Sequence, residues 1–199
     1  MGVRRWLGVM PSLWLLVACS EQNQVQPQHN GPEQVANTFY RLLLAEPVSG
    51  LPSVDELRPF RAVLHQDLIR RLEAAHSAEQ QYLAGAKEPV PPLFEGSLFT
   101  SLFEGFTDFH LESCQTRRRT SDCLITLIYD KHGQRSEWQD GLRLRQGRLG
   151  WQISDVTYGG KWDFAPKGTL QQRLDAVLVN EQASTSAAQA VGNVPTPSP

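Results

Sequence analysis

The feature that most constrains the fold is a series of four stretches between residues 106 and 158 in which apolar and polar residues alternate. A spacing of two is typical of a β-strand with one buried face. Two tight-turn dipeptides, His132-Gly133 and Gln146-Gly147, connect the last three stretches. Strands joined by such short turns pair antiparallel with their sequence neighbours, so we predict a four-stranded antiparallel meander.

The four stretches differ in how they are buried. Residues 123–131 read CLITLIYDK and carry apolar side chains on both faces, which is typical of a strand in the middle of a sheet. The first stretch covers about residues 106–114. The fourth, near residues 149–158, carries Trp151 and Ile153 two positions apart.

The first half of the chain shows helical spacing instead. From residue 32 onward apolar residues recur three or four positions apart, which predicts a helix. Ser53 and Glu56 form a capping box before a short helix predicted over residues 54–58. A longer helix is predicted over residues 65–85.

Helices followed by a meander define the α+β class. We expect the N-terminal helices to pack on the four-stranded sheet and a short C-terminal helix to begin at Thr169. This order is similar to the cone-shaped folds of nuclear transport factor, cystatin-like and SnoaL-like polyketide-cyclase proteins. In those folds a curved sheet wraps a helix and leaves a pocket at its mouth.

The N-terminus predicts export. Arg4 and Arg5 precede an apolar stretch that is shorter than the roughly 20 residues a membrane-spanning helix needs, so residues 1–18 are predicted to be a signal peptide. The stretch ends Leu16-Val17-Ala18-Cys19, which looks like the bacterial lipobox. Cys19 is therefore the predicted lipidation site. The alternative is an ordinary secretory signal with a chance cysteine.

The rest of the chain divides into three parts. We predict a lipidated tether over residues 19–31, a single α+β domain over residues 32–179 and a disordered tail over residues 180–199, which is rich in Ala, Ser, Thr and Pro. Residue 20 is Ser rather than Asp. In lipoproteins with this kind of N-terminus, that favours sorting to the outer membrane, facing the periplasm.

Two further cysteines, Cys114 and Cys123, remain in the predicted domain. An even number of cysteines in an oxidising compartment favours a structural disulfide, and the alternative is a pair of buried free thiols. Simple alternation along the first strand places Cys114 on the same face as Asp108 and His110.

Asp108 and His110 are the best candidates for acid–base chemistry. Two residues apart on one strand, they suit a general base in a cone-fold pocket. The alternative to an acid–base pair is an exposed polar strand face. We prefer this alternative, and no catalytic residue is predicted. Trp138, Trp151 and Asp155 are the candidate lining of a pocket. Asp155 is expected instead to bond backbone or pair with an arginine.

The sequence contains no motif for a metal site, a nucleotide cofactor or a catalytic nucleophile. The five histidines are dispersed without metal-ligand spacing, and the chain carries no nucleotide-binding or nucleophile-elbow motif, so neither a metal nor a cofactor is predicted. A formal net charge of −2 argues against a nucleic-acid partner.

A basic run lies at the tip of the hairpin that the two cysteines would join. Arg117, Arg118 and Arg119 form a candidate contact patch for anionic lipid headgroups, lipopolysaccharide or an acidic protein surface. The alternative is a hairpin tip that serves only solubility.

Two segments resemble those of YbjP-like bacterial envelope lipoproteins, which share one domain of unknown function. Residues 92–105 read PLFEGSLFTSLFEG, similar to the segment before the first strand in that family. Residues 150–156, GWQISDV, are similar to its late strand. The resemblance implies an envelope setting and the α+β fold, and it implies no activity.

These observations predict a non-enzymatic lipoprotein, anchored in the membrane by its N-terminal lipid, that binds another envelope component, most simply a protein partner. A pocket for a small apolar ligand, or an enzyme built on the same pocket, are the alternatives.

Overall fold

The computed structural model describes residues 31–179 and confirms the α+β class. The predicted signal peptide, Cys19, most of the tether and the predicted tail lie outside the described residues. The elements in chain order are α1 (Pro32–Ala45), α2 (Gln66–Gly85), β1 (Asp108–Arg117), β2 (Thr120–Lys131), β3 (Gln134–Gly147), β4 (Gly150–Thr157) and α3 (170–179).

The four strands form the predicted meander, with sheet order β1-β2-β3-β4 and antiparallel pairing throughout. β2 is paired on both sides, as the apolar residues on both of its faces indicated. Its two faces are buried unequally, however. Ile125 on the inner face is fully buried, whereas Leu124 on the outer face is 41% exposed.

One of the two predicted turns is correct and the other is displaced. His132 and Gly133 join β2 to β3 with φ of 56° and 75°, the conformation of a two-residue hairpin loop. The β3–β4 turn falls at Arg148 and Leu149, two residues after the predicted Gln146-Gly147. Strand β3 therefore extends through Gly147. Gly150, the first residue of β4, has a φ of 93°, which a glycine adopts without steric cost.

A β-bulge in β1 corrects the predicted strand faces. The pairing with β2 shifts between Leu111 and Ser113, which adds one residue to β1. An extra residue moves every later side chain to the opposite face. Cys114 therefore packs against the core on the inner face, opposite Cys123, and does not share the outer face with the polar residues before the bulge.

The inner face of the sheet is covered by an aromatic cluster and two helices. The ring of Phe39 on α1 lies 5.4 Å from the ring of Phe99 and 6.1 Å from that of Phe60, in edge-to-face geometry. Leu68 and Leu72 of α2 are fully buried beside them. Such edge-to-face pairs add about 0.5–1.5 kcal/mol each to the hydrophobic contribution.

The helix predicted over residues 54–58 is wrong, although its capping box is present. Residues 54–63 form a run of turns, because most of their backbone bonds join residues three apart and Pro59 has no amide hydrogen to continue a helix. The Ser53 N–H donates to the Glu56 carboxylate over 2.9 Å. This bond, with a second from the Ser53 hydroxyl, lowers the pKa of Glu56.

The segment that follows these turns covers the outer edge of β4. Leu64 pairs in parallel with Ile153. The N–H of His65 donates to the Ile153 carbonyl over 2.7 Å, and the N–H of Ile153 donates to the Val63 carbonyl over 2.8 Å. These bonds satisfy backbone groups that a bare edge strand would expose.

A buried glutamate holds the irregular connection between α2 and β1. We call residues 92–105 the connecting segment. Its first amides, those of Leu93 and Phe94, donate to the carboxylate of Glu79 over 2.8 and 3.1 Å. Because Glu79 is 6% exposed, these bonds form in a poorly solvated environment and fasten the connecting segment to α2.

A second buried carboxylate, Asp140 on β3, fastens the other side of the connecting segment. Asp140 is 1% exposed and accepts hydrogen bonds from the N–H and hydroxyl of Ser101. It also accepts the indole N–H of Trp138 over 3.1 Å and the backbone N–H of Gly159 over 2.8 Å. One side chain thus joins the connecting segment, β3 and the loop after β4.

Replacing Asp140 by alanine would leave these donors buried without an acceptor. We expect Asp140→Ala to lower the free energy of unfolding by about 3–5 kcal/mol, measured by urea denaturation. Asp130→Ala is the matched control, because the Asp130 side chain is 55% exposed and, within residues 31–179, pairs with Arg135 alone. Equal free energies of unfolding for the two variants would contradict the conclusion that the hydrogen bonds of Asp140 stabilise the fold.

Candidate functional site

The two hairpin tips at one end of the sheet lie side by side. The β1–β2 turn holds Arg118 and Arg119, and the β3–β4 turn holds Arg148 and Leu149. The Gln146 N–H donates to the Arg119 carbonyl over 2.9 Å, and the Arg119 Nε donates back to the Gln146 carbonyl over 3.3 Å. These bonds join the tips into one surface. We call the surface formed by Arg117, Arg118, Arg119, Arg145, Arg148 and Leu149 the arginine end.

Most arginines of this surface are not neutralised. Within residues 31–179, Arg117, Arg118, Arg119 and Arg148 form no ion pair. Arg145 lies 4.0 Å from Asp67, a contact too long and too exposed to fix its guanidinium. The arginine end therefore presents several exposed positive charges to solvent.

Behind the tips, the charges are paired. On β3, Arg143 donates through Nε to Asp122 over 2.8 Å, and this hydrogen bond raises the pKa of Arg143. Arg70 pairs with Asp67, and Arg71 pairs with Asp175. Such pairs hold the surroundings of the arginine end together and leave its outermost guanidinium groups available.

Two surface cavities adjoin the arginine end. One, of about 480 Å³, lies between the start of α2 and the sheet and is lined by His65, Asp67 and Arg145 among others. The other, of about 570 Å³, lies beneath the β3–β4 turn and is lined by Arg61 and Arg148 among others. Asp67 lines both cavities, and arginines outnumber acidic residues in each lining.

Leu149 is the most exposed large apolar residue of the described chain, at 84%. It follows Arg148 directly at the outermost point of the turn. Its side chain therefore adds one exposed apolar group to the surface that the arginines form.

The candidate general base is not housed in a cavity. Asp108 and His110 both lie exposed on the outer face of β1, and the Asp108 carboxylate accepts the N–H of Phe109 over 2.8 Å. Glu112, next on that face, accepts the hydroxyl of Thr126 over 2.6 Å. This is the polar strand face that we preferred over a catalytic pair.

The predicted pocket residues do not meet. Trp138 pairs with Leu127 in the half of β3 that extends beyond β4, whereas Trp151 pairs with Gln146 near the arginine end. Asp155 accepts the N–H of Val156 over 2.9 Å and that of Gln171, in the first turn of α3, over 3.0 Å. Asp155 therefore bonds backbone, as expected, and the pairing of the strands keeps Trp138 and Trp151 apart.

The interior contains two tyrosines that offer no charged group. Burial raises the pKa of Tyr158 to about 12, and its hydroxyl donates to the Leu98 carbonyl over 2.7 Å. Burial also raises the pKa of Tyr40 well above its usual value. Both phenols are therefore neutral near pH 7.

Sequence reasoning missed the two buried carboxylates. Asp140 was detectable, because it lies in the same alternating phase as Trp138 and Leu142, both of which point inward. A carboxylate at an inward position of a strand is expected to accept several hydrogen bonds from the protein. Glu79 lies among polar residues in the sequence of α2, so the sequence does not indicate that its side chain is buried.

Within residues 31–179, no group of three or more His, Cys, Asp or Glu side chains is arranged to hold a metal ion. No helix of that part of the chain is long and apolar enough to cross a membrane. Comparisons with protein-family models, curated proteins and solved structures give no match for the chain.

The structure places the sulfurs of Cys114 and Cys123 at bonding distance, on paired residues whose Cα atoms lie 4.0 Å apart. We expect intact-mass analysis of the unreduced protein to find no alkylatable thiol in residues 31–179. In the chain-entropy model, a closed loop of this length contributes about 2.5–3 kcal/mol. Two modified cysteines without reductant would contradict the disulfide.

Proposed function

We propose that this chain is a non-enzymatic envelope lipoprotein that holds its arginine end against phosphate-bearing lipid headgroups. In this proposal Cys19 carries the lipid anchor and the domain faces the periplasm from the outer membrane, the setting of the YbjP-like lipoproteins that the sequence resembles. The observation that carries the proposal is the joined pair of hairpin tips, where arginines that form no ion pair in the described part of the chain lie beside the exposed Leu149.

The free energies expected for binding of the arginine end to a membrane suit a contact that supplements the lipid anchor on Cys19. Each arginine near an anionic membrane surface contributes about 1 kcal/mol. Burying one leucine side chain adds roughly 1.5–3 kcal/mol. The sum supports reversible binding of the domain, while acyl chains on Cys19 supply firm attachment.

The predicted tether permits this contact. Residues 19–31 span at most about 45 Å when fully extended. An anchored domain therefore stays within reach of the membrane, and attraction between the arginines and lipid phosphates favours the orientation in which the arginine end faces the headgroups.

The same features favour contact over catalysis. Asp108 and His110 are exposed to solvent on the outer face of β1. Trp138 and Trp151 lie too far apart to line a single ligand pocket. These placements make surface binding the better-supported activity.

Reversing the tip charges tests the proposal. The chain from residue 19 onward, carrying Cys19→Ser to prevent lipidation, is sedimented with vesicles of phosphatidylglycerol and phosphatidylcholine. We expect Arg118→Glu with Arg119→Glu to weaken binding at least about tenfold, because two attractions become repulsions. Binding of the parent should fall as salt rises.

The matched control reverses two charges at the opposite hairpin, Lys131→Glu with Arg135→Glu. It changes net charge equally and should alter vesicle binding by less than about twofold if location matters. If both double variants lost vesicle binding equally, net charge rather than the position of the arginines would determine binding. Tight capture of an acidic protein without vesicle binding would favour the protein-partner alternative.

The anchor has its own test. Cells fed a fatty-acid analogue should label the full chain and not the Cys19→Ala variant, because only a thiol at that position accepts the diacylglycerol group. The Cys114→Ala variant, which removes a different cysteine, should label like the parent. Labelling of Cys19→Ala at the parental level would exclude Cys19 as the lipidation site.

A further inference from the structure

The loop after β4 carries an exposed aromatic surface at the opposite end of the sheet. Trp162 and Phe164 lie with ring centroids 6.0 Å apart and planes inclined by 11°, a displaced parallel arrangement. Phe164 is 72% exposed. We call Trp162, which is half-buried, and Phe164 the aromatic shelf. The buried Trp138 lies behind them and is not part of the exposed surface.

The shelf is held rigidly from behind. The ring of Trp138 meets that of Trp162 edge-on at 5.4 Å, and the Trp138 indole N–H donates to the buried Asp140. The Lys167 ammonium donates to the Trp162 carbonyl over 3.2 Å. These contacts hold the Trp162 ring in place before any ligand arrives, which lowers the entropic cost of binding.

Two glycines let the loop approach the sheet. A Cβ on Gly159 would collide with the Gln139 carbonyl, and a Cβ on Gly160 would collide with the Trp162 ring and with Ser101. Close approach also allows the Gly160 N–H to donate to the Ser101 hydroxyl over 3.0 Å. The exposed rings are therefore a built feature of this loop.

A cavity of about 560 Å³ adjoins the shelf, and its walls mix apolar and polar groups. Leu124, Trp138 and Trp162 supply apolar surface, while Glu137, Gln139 and Lys161 supply hydrogen-bonding groups of both kinds. The Gln139 side-chain N–H donates to the Thr126 hydroxyl over 3.4 Å, which leaves the amide oxygen of Gln139 as an acceptor. The negative charge of Glu137 and the positive charge of Lys161 give the cavity lining no net charge.

We infer that the aromatic shelf is a binding site for a neutral pyranose chain. The C–H face of a sugar ring packs on an aromatic ring, while its hydroxyl groups lie at the ring edge, where planar amides and carboxylates bond them. The exposed Phe164 ring and the half-buried Trp162 ring offer the first half of that chemistry. The cavity beside Trp162, which is lined by Gln139, Glu137 and Lys161, offers the second. The balanced charge favours a neutral sugar over the anionic groups suited to the arginine end.

The shelf and the arginine end are separate sites. Trp138 and Gly147 are nine residues apart on β3, which corresponds to about 30 Å of strand. A domain with its arginine end on a lipid surface would therefore turn the shelf away from that surface. The shelf proposal does not depend on the lipid contact.

The test uses the full chain as the cell processes it, labelled with ¹⁵N-tryptophan and titrated with the N-acetylglucosamine tetramer. We expect the indole signal of Trp162 to move with sugar concentration and that of Trp151 to stay fixed. Phe164→Ala should weaken the affinity about five- to tenfold by removing one stacking surface. Because Phe164 is largely exposed, this variant should keep the parental fold.

Phe103→Ala is the matched control, since Phe103 is also exposed, at 56%, but lies outside the shelf. It should leave sugar affinity within about twofold, as should the arginine-end double variant. The proposal is overturned if the tetramer moves no indole signal at millimolar concentration, or if Phe164→Ala binds like the parent. Self-association that Phe164→Ala abolishes, without sugar binding, would identify a protein interface instead.

Discussion

The buried carboxylate of Asp140 is the interaction on which the arrangement of this domain depends. It gathers donors from the connecting segment, from β3 and from the loop after β4, three parts of the chain that are not adjacent in sequence. A carboxylate removed from water is tolerated only when its oxygens accept hydrogen bonds from the protein, so the three parts must stay together. The packing of the connecting segment and the position of Trp138 both follow from this requirement.

The long meander then separates two kinds of surface. Because β3 continues beyond the end of β4, one end of the sheet carries the joined arginine tips and the other leaves room for the loop that bears Trp162 and Phe164. Charge dominates the first surface, and aromatic area with balanced polar groups characterises the second. A chain with unremarkable net charge thus presents two chemically distinct faces, and the proposals for lipid and sugar binding rest on that separation.

Much of the fold was predictable, and the errors have local causes. The strand count, the antiparallel order and the His132-Gly133 turn follow from periodicity and turn chemistry. The bulge after Leu111 leaves no mark in the alternation itself, so Cys114 was assigned to the wrong face although its pairing with Cys123 was expected. The candidate site was predicted in part: the arginine run at the β1–β2 tip was visible, but its union with Arg148 and Leu149 was not.

The sequence by itself determined the α+β class, the meander and the basic hairpin tip, because each depends on residues within a few positions of one another. Only the tertiary structure decided which surfaces these elements form together. The edge pairing of Leu64 with Ile153, the donors of Asp140 and the joining of the two tips all link residues far apart in the chain. Such contacts arise from packing and from the need to satisfy buried polar groups, and a local pattern contains neither.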